Sequence, residues 1–438
     1  MSVESSSGVP AICASDSEET AGCCGGASGG CGLSALRRAS SGPRPTVTRA
    51  EETPLPERSD PAHGKRPGEP PAPASTENGG SGAGIGVAGS GPVSAGPGGT
   101  GRVEWLLADS VWWGGRLRTG VALRVAPDGV VKPVPAELAP GGEGTRRFPG
   151  TLLPGLVDAH VHSALVDLGT VRAGGIAEVW DLGGVPAAVS DLAQRARLAG
   201  GLPKIRYAGP FLIAPGGYPS DRSWAAAGSW REIGSAAEAG AAVAEVWAAG
   251  ATLIKVTAHT GGPQLAQPVL KALVTSAHAA GLPVVVHAEG AGTVATAFTA
   301  GADVLAHTPW TERIDDSLLR ACAQRMTWIS TLDIHGWGDP DPAAEVAVDN
   351  LRRFAGFGGT VRYGTDLGNG PLPPGINARE IRLLQAAGLT PGAVLTAMTE
   401  KTGTTLSWIS GGLDLTPERF ADVLVTARVL DAGVHPST

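Results

Sequence analysis

His160-Val-His162 closes the run Thr151-Leu-Leu-Pro-Gly-Leu-Val-Asp-Ala-His-Val-His162, an apolar stretch with Pro-Gly punctuation that reads as a buried strand. On a strand, residues i and i+2 share a face, so both imidazoles point the same way at its C-terminal end. Neutral imidazole is the commonest metal-binding side chain, and two aimed together can hold one ion. Taken alone, the pair is equally compatible with two exposed loop histidines. Four further groups add weight, each at the end of a short apolar run. Lys255 lies in Leu253-Ile-Lys-Val256, His287 in Val284-Val-Val-His-Ala-Glu289, His307 in Asp303-Val-Leu-Ala-His307, and Asp366 in Arg362-Tyr-Gly-Thr-Asp366. A metal site at the C-terminal mouth of a parallel barrel has this pattern, because that face carries the chemistry of barrel enzymes.

In this order, HxH, a strand lysine, two single histidines and a late aspartate resemble the binuclear-metal branch of the amidohydrolase superfamily. The surrounding segments are similar to its imidazolonepropionase-like and prolidase-like members. Pro154-Gly-Leu-Val-Asp-Ala-His-Val-His162 resembles the first-strand signature, Arg172 to Gly184 the second-strand segment, His287 to His307 the fifth-to-sixth strand unit, and Gly388 to Thr399 a late helix. The resemblance runs from about Gly101 to Gly433. It implies two divalent metal ions, zinc by preference: one on His160, His162 and Asp366, the other on His287 and His307, with Lys255 bridging. An ammonium has no lone pair, so Lys255 would first take up carbon dioxide as a carbamate, which burial favours by lowering the lysine pKa. Two cations acidify a shared water for attack on a carbonyl carbon, and Asp366 is the implied general base and then acid.

Each assignment has a plainer counterpart. Asp366 could cap a helix, Lys255 could be a surface-tipped lysine, and His287 or His307 could be a satisfied core histidine. Glu289, two residues after His287, leaves a one-metal deaminase open, with Glu289 moving protons; Lys255 argues against that reading. Tyr218, in the loop Gly209-Pro-Phe-Leu-Ile-Ala-Pro-Gly-Gly-Tyr218, stands where the family commonly has histidine, and could bind a substrate carbonyl or merely pack. Trp224, Trp230, Trp310 and Trp337 could form an aromatic wall, or belong to ordinary packing. His259 and His335 read as pocket lining or surface, and His63, His278 and His435 as bystanders. A solvated surface role is expected for Arg222 and Arg231.

The elements needed to position these groups are legible as alternating strand-like and helix-like runs, the pattern of a (β/α)8 barrel. Strands are expected near 152–161, 176–182, 204–213, 251–257, 283–288, 303–307, 326–333 and 360–365, with helical runs at 236–248, 267–280 and 314–324 between some of them. Little room for a helix separates His162 from the second strand. The flanks, with strand-like Val103 to Trp113, Val121 to Val131 and Phe420 to Leu430, are expected to pack as a small β-sandwich. The resulting division is a leader over 1–100, a first sandwich part over 101–150, the barrel over 151–410, and the second sandwich part with the tail over 411–438.

The leader is rich in Gly, Ser and Pro and should be disordered, since it cannot bury enough apolar surface to offset chain entropy. Four of the five cysteines (Cys13, Cys23, Cys24, Cys31) fall there with no familiar zinc spacing; Cys322 reads as packing. Charged residues make up 17% and the net charge is −7, which argues against nucleic acid and anionic membrane partners. No apolar run is long enough to span a bilayer, and Met1-Ser-Val-Glu lacks the basic start of a signal peptide, so the cytoplasm is expected. The expected activity is hydrolysis of a non-peptide carbon–nitrogen bond, a cyclic amide or an N-acyl amino acid, in a small-molecule substrate. An Xaa-Pro or N-acyl dipeptidase is the alternative, followed by the mononuclear deaminase and a non-catalytic barrel. Homo-oligomer formation stays open.

Overall fold

A computed structural model describes residues 103–399 and 405–430. The readings made on the leader, its four cysteines, His63 and His435 lie outside the described residues. Strand β1 (Glu104–Trp113) turns through Gly114-Gly115 into β2 (Arg116–Arg118). Both glycines have positive φ, 60° and 77°, as a two-residue hairpin link requires. Strand β3 (Val121–Val125) pairs antiparallel with β1 and with β4 (Val131–Pro135), and β5 (Thr145–Pro154) runs parallel to β1 on its other edge.

The remaining central strands are parallel. Strands β6 (Leu156–Val161), β7 (Ile176–Asp181) and β8 (Lys204–Tyr207) form a three-stranded sheet. A seven-stranded sheet contains β9 (Phe211–Ile213), β10 (Trp230–Glu232), β11 (Ile254–His259), β12 (Val284–Glu289), β13 (Val304–Leu305), β14 (Thr327–Ile329) and β15 (Thr360–Arg362), in the order β10-β9-β11-β12-β13-β14-β15. Single hydrogen bonds join the two sheets at both sides. Ala159 N donates to Tyr363 O at 3.0 Å and His162 N to Leu367 O at 2.8 Å, while Thr252 N donates to Tyr207 O at 3.0 Å. The fold is therefore mixed α/β with parallel sheets, and helices such as Pro186–Ala199, Ala239–Ala248, Gln267–Ala279 and Asp316–Arg325 connect the strands.

Alternation along the strands decides what faces the site. On β11, Ile254, Val256 and Ala258 belong to the large core shared with the helices, as do Val284, Val286 and Ala288 of β12. Lys255, Thr257 and His259, with Val285, His287 and Glu289, must then take the opposite face. Val285 joins Val157, Ala159, Trp180, Ala306 and Ile329 in a second apolar cluster on that face.

Every expected strand region contains a strand, but with shifted limits. The first divides at Gly155, where a Cβ would lie 2.5 Å from Thr405 Oγ1 and 2.8 Å from Ala177 Cβ. The third divides around Pro210, which has no N–H for a sheet ladder. A 3-10 turn, Ser163–Leu165, and a six-residue α-helix, Leu168–Ala173, occupy the short link before β7, in agreement with the limited room there. The C-terminal flank requires a correction. Pro417–Leu424 is a helix that starts with proline in its first turn and buries Phe420, Ala421 and Leu424, so the strand-like run is helical before the chain becomes extended at Arg428. Strands β16 (Leu406–Ile409) and β17 (Arg428–Leu430) pair with each other, and β16 pairs with β5, so both flanks meet in one seven-stranded sheet.

Candidate metal centre

His160 closes the buried end of β6 and His162 follows it by two residues. A register shift between Asp158 and Val161 in the β6–β7 pairing bends the strand where the histidines leave it. His160 Nδ1 lies 2.9 Å from Ala306 O and His162 Nδ1 3.1 Å from Gly183 O. A carbonyl only accepts, so each Nδ1 carries the proton and each Nε2 is left with a lone pair. Both Nε2 atoms face Asp366 Oδ1, at 3.0 Å and 3.2 Å. Three acceptor atoms thus converge, and His160 Nε2 and Asp366 Oδ1 are buried without a hydrogen-bond partner. Such an arrangement is costly unless a proton or a cation sits among the three. The donor set, two imidazoles and a carboxylate with ring orientations fixed from behind, fits a divalent ion.

Electrostatics separate the two histidines. Burial drives His160 well below the ordinary imidazole range, with the Lys255 and His162 charges adding to it against the pull of Asp366. Burial also lowers His162, but the hydrogen bond and charge of Asp366 outweigh it and its pKa rises. Burial pushes the Asp366 carboxyl up, yet His160, His162 and His307 together hold it well below the usual carboxylate range. Asp366 has φ of 59°, a left-handed conformation uncommon outside glycine, and its Oδ2 accepts from Asn369 Nδ2 at 2.9 Å.

The other expected site residues surround this trio. The His307 ring lies 4.6 Å from that of His160 and 4.9 Å from that of His287, and its Nδ1 is 2.9 Å from Thr331 Oγ1. His287 Nε2 is 3.0 Å from Glu289 Oε2, which is also 3.4 Å from His259 Nε2. Burial raises the Glu289 carboxyl, but these two histidines overcome it and hold it at about 2. Lys255 is 1% exposed, with Nζ 5.7 Å from the centre of the Phe211 ring, and its charge contributes to the lowering of His287 and His307 after burial. Tyr218 stacks on His259 at 4.9 Å and on His287 at 4.8 Å. Trp310 meets His307 at 5.5 Å and His335 at 5.2 Å.

Some members of the aromatic set separate. Trp224 lies 6.0 Å from His162, whereas Trp337 donates from Nε1 to Asn369 O at 3.3 Å and Trp230 sits on β10. His278 pairs with Asp303 at 2.8 Å on the surface, and Arg231 pairs with Glu245 at 2.6 Å, as surface roles require. The sequence reading left Asp158 without a role. Its carboxylate accepts from His160 N at 3.1 Å, Thr365 N at 3.0 Å and Thr365 Oγ1 at 2.6 Å, tying the first ligand segment to the last. The available signal was its place inside the quoted first-strand motif, two residues before His160.

No family model matches the chain, and no curated protein matches it. Solved structures do. A putative prolidase from Bifidobacterium longum superposes with a TM-score of 0.60 at 22% identity, covering 74% of this chain and 91% of its own. An Xaa-Pro dipeptidase with methionine in its active site gives 0.59 at 18%, covering 75% and 97%. Phenylurea hydrolase B gives 0.57 at 15%, covering 76% and 96%. What the chain shares with them is a fold.

Proposed function

We propose that this chain is a metal-dependent amidohydrolase that cleaves a carbon–nitrogen bond in a small molecule, a cyclic amide or an N-acyl amino acid. The observation that carries the reading is the convergence of His160 Nε2, His162 Nε2 and Asp366 Oδ1, two of them buried and unpaired. The likeness in fold to proteins named as a prolidase, a dipeptidase and a urea hydrolase supports it. In this reading β6, β7, the divided third strand β8–β9, and β11 to β15 are the eight strands of an amidohydrolase barrel, joined through the hydrogen bonds at both sheet edges, and the flanking sheet is its small sandwich. The division into leader, barrel and flanks, and a cytoplasmic location, go with it.

His160, His162 and Asp366 would hold one ion, and His287 and His307 a second, with zinc suited to this donor set and Lys255, as a carbamate, between them. Bound cations supply an acidified water and polarise the substrate oxygen. Asp366 takes the proton of the attacking water and delivers it to the leaving nitrogen, so the C–O bond forms as the C–N bond breaks. Asn369 holds the Asp366 carboxylate in place through Oδ2, and the Ala306 and Gly183 carbonyls hold the rings of His160 and His162. Tyr218 and Trp310 wall the site beside His287 and His307.

Glu289 is the basis of a second reading. Its carboxylate is placed between His287 and His259, and a one-metal deaminase would use it for proton transfer. Elemental analysis of the purified full chain and of Lys255→Ala separates the two. About two divalent ions per chain, falling sharply in the variant, fit the bridged site; one ion, unchanged in the variant, overturns it in favour of the mononuclear reading. Turnover of N-acyl amino acids against Xaa-Pro dipeptides then separates the acylase and dipeptidase alternatives.

A further inference from the structure

Beside His162, a cleft of about 80 Å³ opens to the surface, lined by His162, Leu165, Val185, Phe211, Trp224 and Ser229 among others. The His162 side chain is 12% exposed, against 1% for His160 and 4% for Asp366, so the trio is most accessible through this ring. Phe211 lies 5.9 Å from His162 and Trp224 6.0 Å, with 6.1 Å between the two, so three aromatic rings surround the inner end. At the rim Leu165 is 48% exposed, a large apolar side chain left in water. The polar atoms of two lining residues, Trp224 Nε1 and Ser229 Oγ, are sealed from solvent and have no hydrogen-bond partner. The reachable wall is therefore mainly carbon, and it recognises shape rather than charge.

We propose that this cleft is the specificity subsite for an apolar substituent of the substrate adjoining the scissile bond, a branched aliphatic group or a five-membered ring. The inference rests on the hydrolase reading above and names the part of the substrate that site selects. Size sets the class. A cavity of roughly 150 Å³ takes benzene, so about half that volume takes roughly three to five carbons and excludes an indole. Leu165 closes over the group from the solvent side. Contact with carbon alone gives discrimination by the methylene, with each well-fitted one worth roughly 10-fold or more in a close pocket.

Ligand-observed NMR on the metal-loaded full chain, with acetamide, isovaleramide and indole-3-acetamide as probes, tests this. The three share a carboxamide and differ in the apolar arm. Isovaleramide carries three more carbons than acetamide and should bind at least roughly 10-fold tighter, approaching roughly 10³-fold where all three fit, and indole-3-acetamide should gain nothing over acetamide. Ala188→Phe, on an exposed position of the cleft's helix wall, and Ala225→Phe, in the neighbouring loop, should each erase the difference between isovaleramide and acetamide. Equal binding of acetamide and isovaleramide, tightest binding of the indole, or a gain that survives both filled variants would overturn the proposal. Turnover is scored separately on N-acetylglycine and N-isovalerylglycine, which belong to the proposed substrate class. A preference for isovaleramide with neither acylglycine hydrolysed upholds the cleft and defeats the hydrolase reading; hydrolysis of both without a binding preference does the reverse.

Discussion

Glu380 offers a test of the electrostatics beneath the site, independent of any metal. It lies in the first turn of the helix Ala378–Ala386, fully buried, with Oε2 accepting from Asp333 N at 2.8 Å. Burial pushes its carboxyl from 4.5 up to about 8, against hydrogen bonds from Ser330 and the Asp333 and Leu332 amides, and the Asp333 charge adds to the rise. The unfolded chain titrates near 4.5, so between there and about 8 the folded state holds a proton that the unfolded state has lost. Stability attributable to this group must then fall as pH rises through that window and level off above it. At roughly 1.4 kcal/mol per unit, the span corresponds to a loss on the order of 5 kcal/mol. Glu380→Gln keeps an acceptor for Asp333 N and removes the titration. The variant should match the native chain near pH 5 and exceed it by several kcal/mol near pH 8, on the order of the span above. Urea unfolding followed by tryptophan fluorescence at both pH values measures the difference. A gap that stays constant with pH, or one that favours the native chain as pH rises, refutes the argument.

Three further outcomes follow from the site. On the proposed reading, Asp366→Asn should lower bound metal and cut kcat by roughly 10³-fold while the far-ultraviolet spectrum is retained, since that reading gives Asp366 both a ligand and a proton-carrying role; elemental analysis and turnover read the two effects. Gly364→Ala places a Cβ 2.3 Å from Ile329 Cγ2 and 3.2 Å from His160 Cβ, so it should cost roughly 1–3 kcal/mol in stability and loosen metal binding, seen as a raised dissociation constant by competition with a chromogenic chelator. Thr365→Val removes the hydroxyl that donates to Asp158 Oδ2 at 2.6 Å and should destabilise by roughly 1–3 kcal/mol in chemical unfolding, because a buried carboxyl loses its partner.

Strand-end residues were legible in the sequence because a period of two, read with the apolar runs, fixes which side chains share a face. Lys255 and His287 follow from that rule alone, with Val256 and Val286 on the helix side. What escaped depends on contacts between segments far apart in the chain. The division at Gly155 is set by Thr405 and Ala177, and neither is visible from the local pattern. The helix Pro417–Leu424 looks strand-like by composition, yet Phe420, Ala421 and Leu424 bury together only at helical spacing. The pairing of Glu289 with both His287 and His259 needed the β11–β12 register, in which His259 stands opposite Glu289.

The geometry of the trio and the joining of β6 to the chain after β15 are one feature. Asp366 keeps a left-handed backbone that costs a non-glycine residue on the order of 1–2 kcal/mol, so its surroundings must over-determine it. They do so from the residues of β6. Leu367 N donates to His160 O at 3.2 Å and His162 N to Leu367 O at 2.8 Å, bracketing the histidine pair. One residue earlier, Thr365 is held by Asp158 through both its amide and its hydroxyl. The same bonds that attach the chain after β15 to β6 therefore bring Asp366 Oδ1 to within 3.0 Å of His160 Nε2. Loosening that seam must open the His160–His162–Asp366 cluster and weaken the sheet junction together, which is why a change as small as Thr365→Val should be felt in stability and, on the proposed reading, in metal affinity.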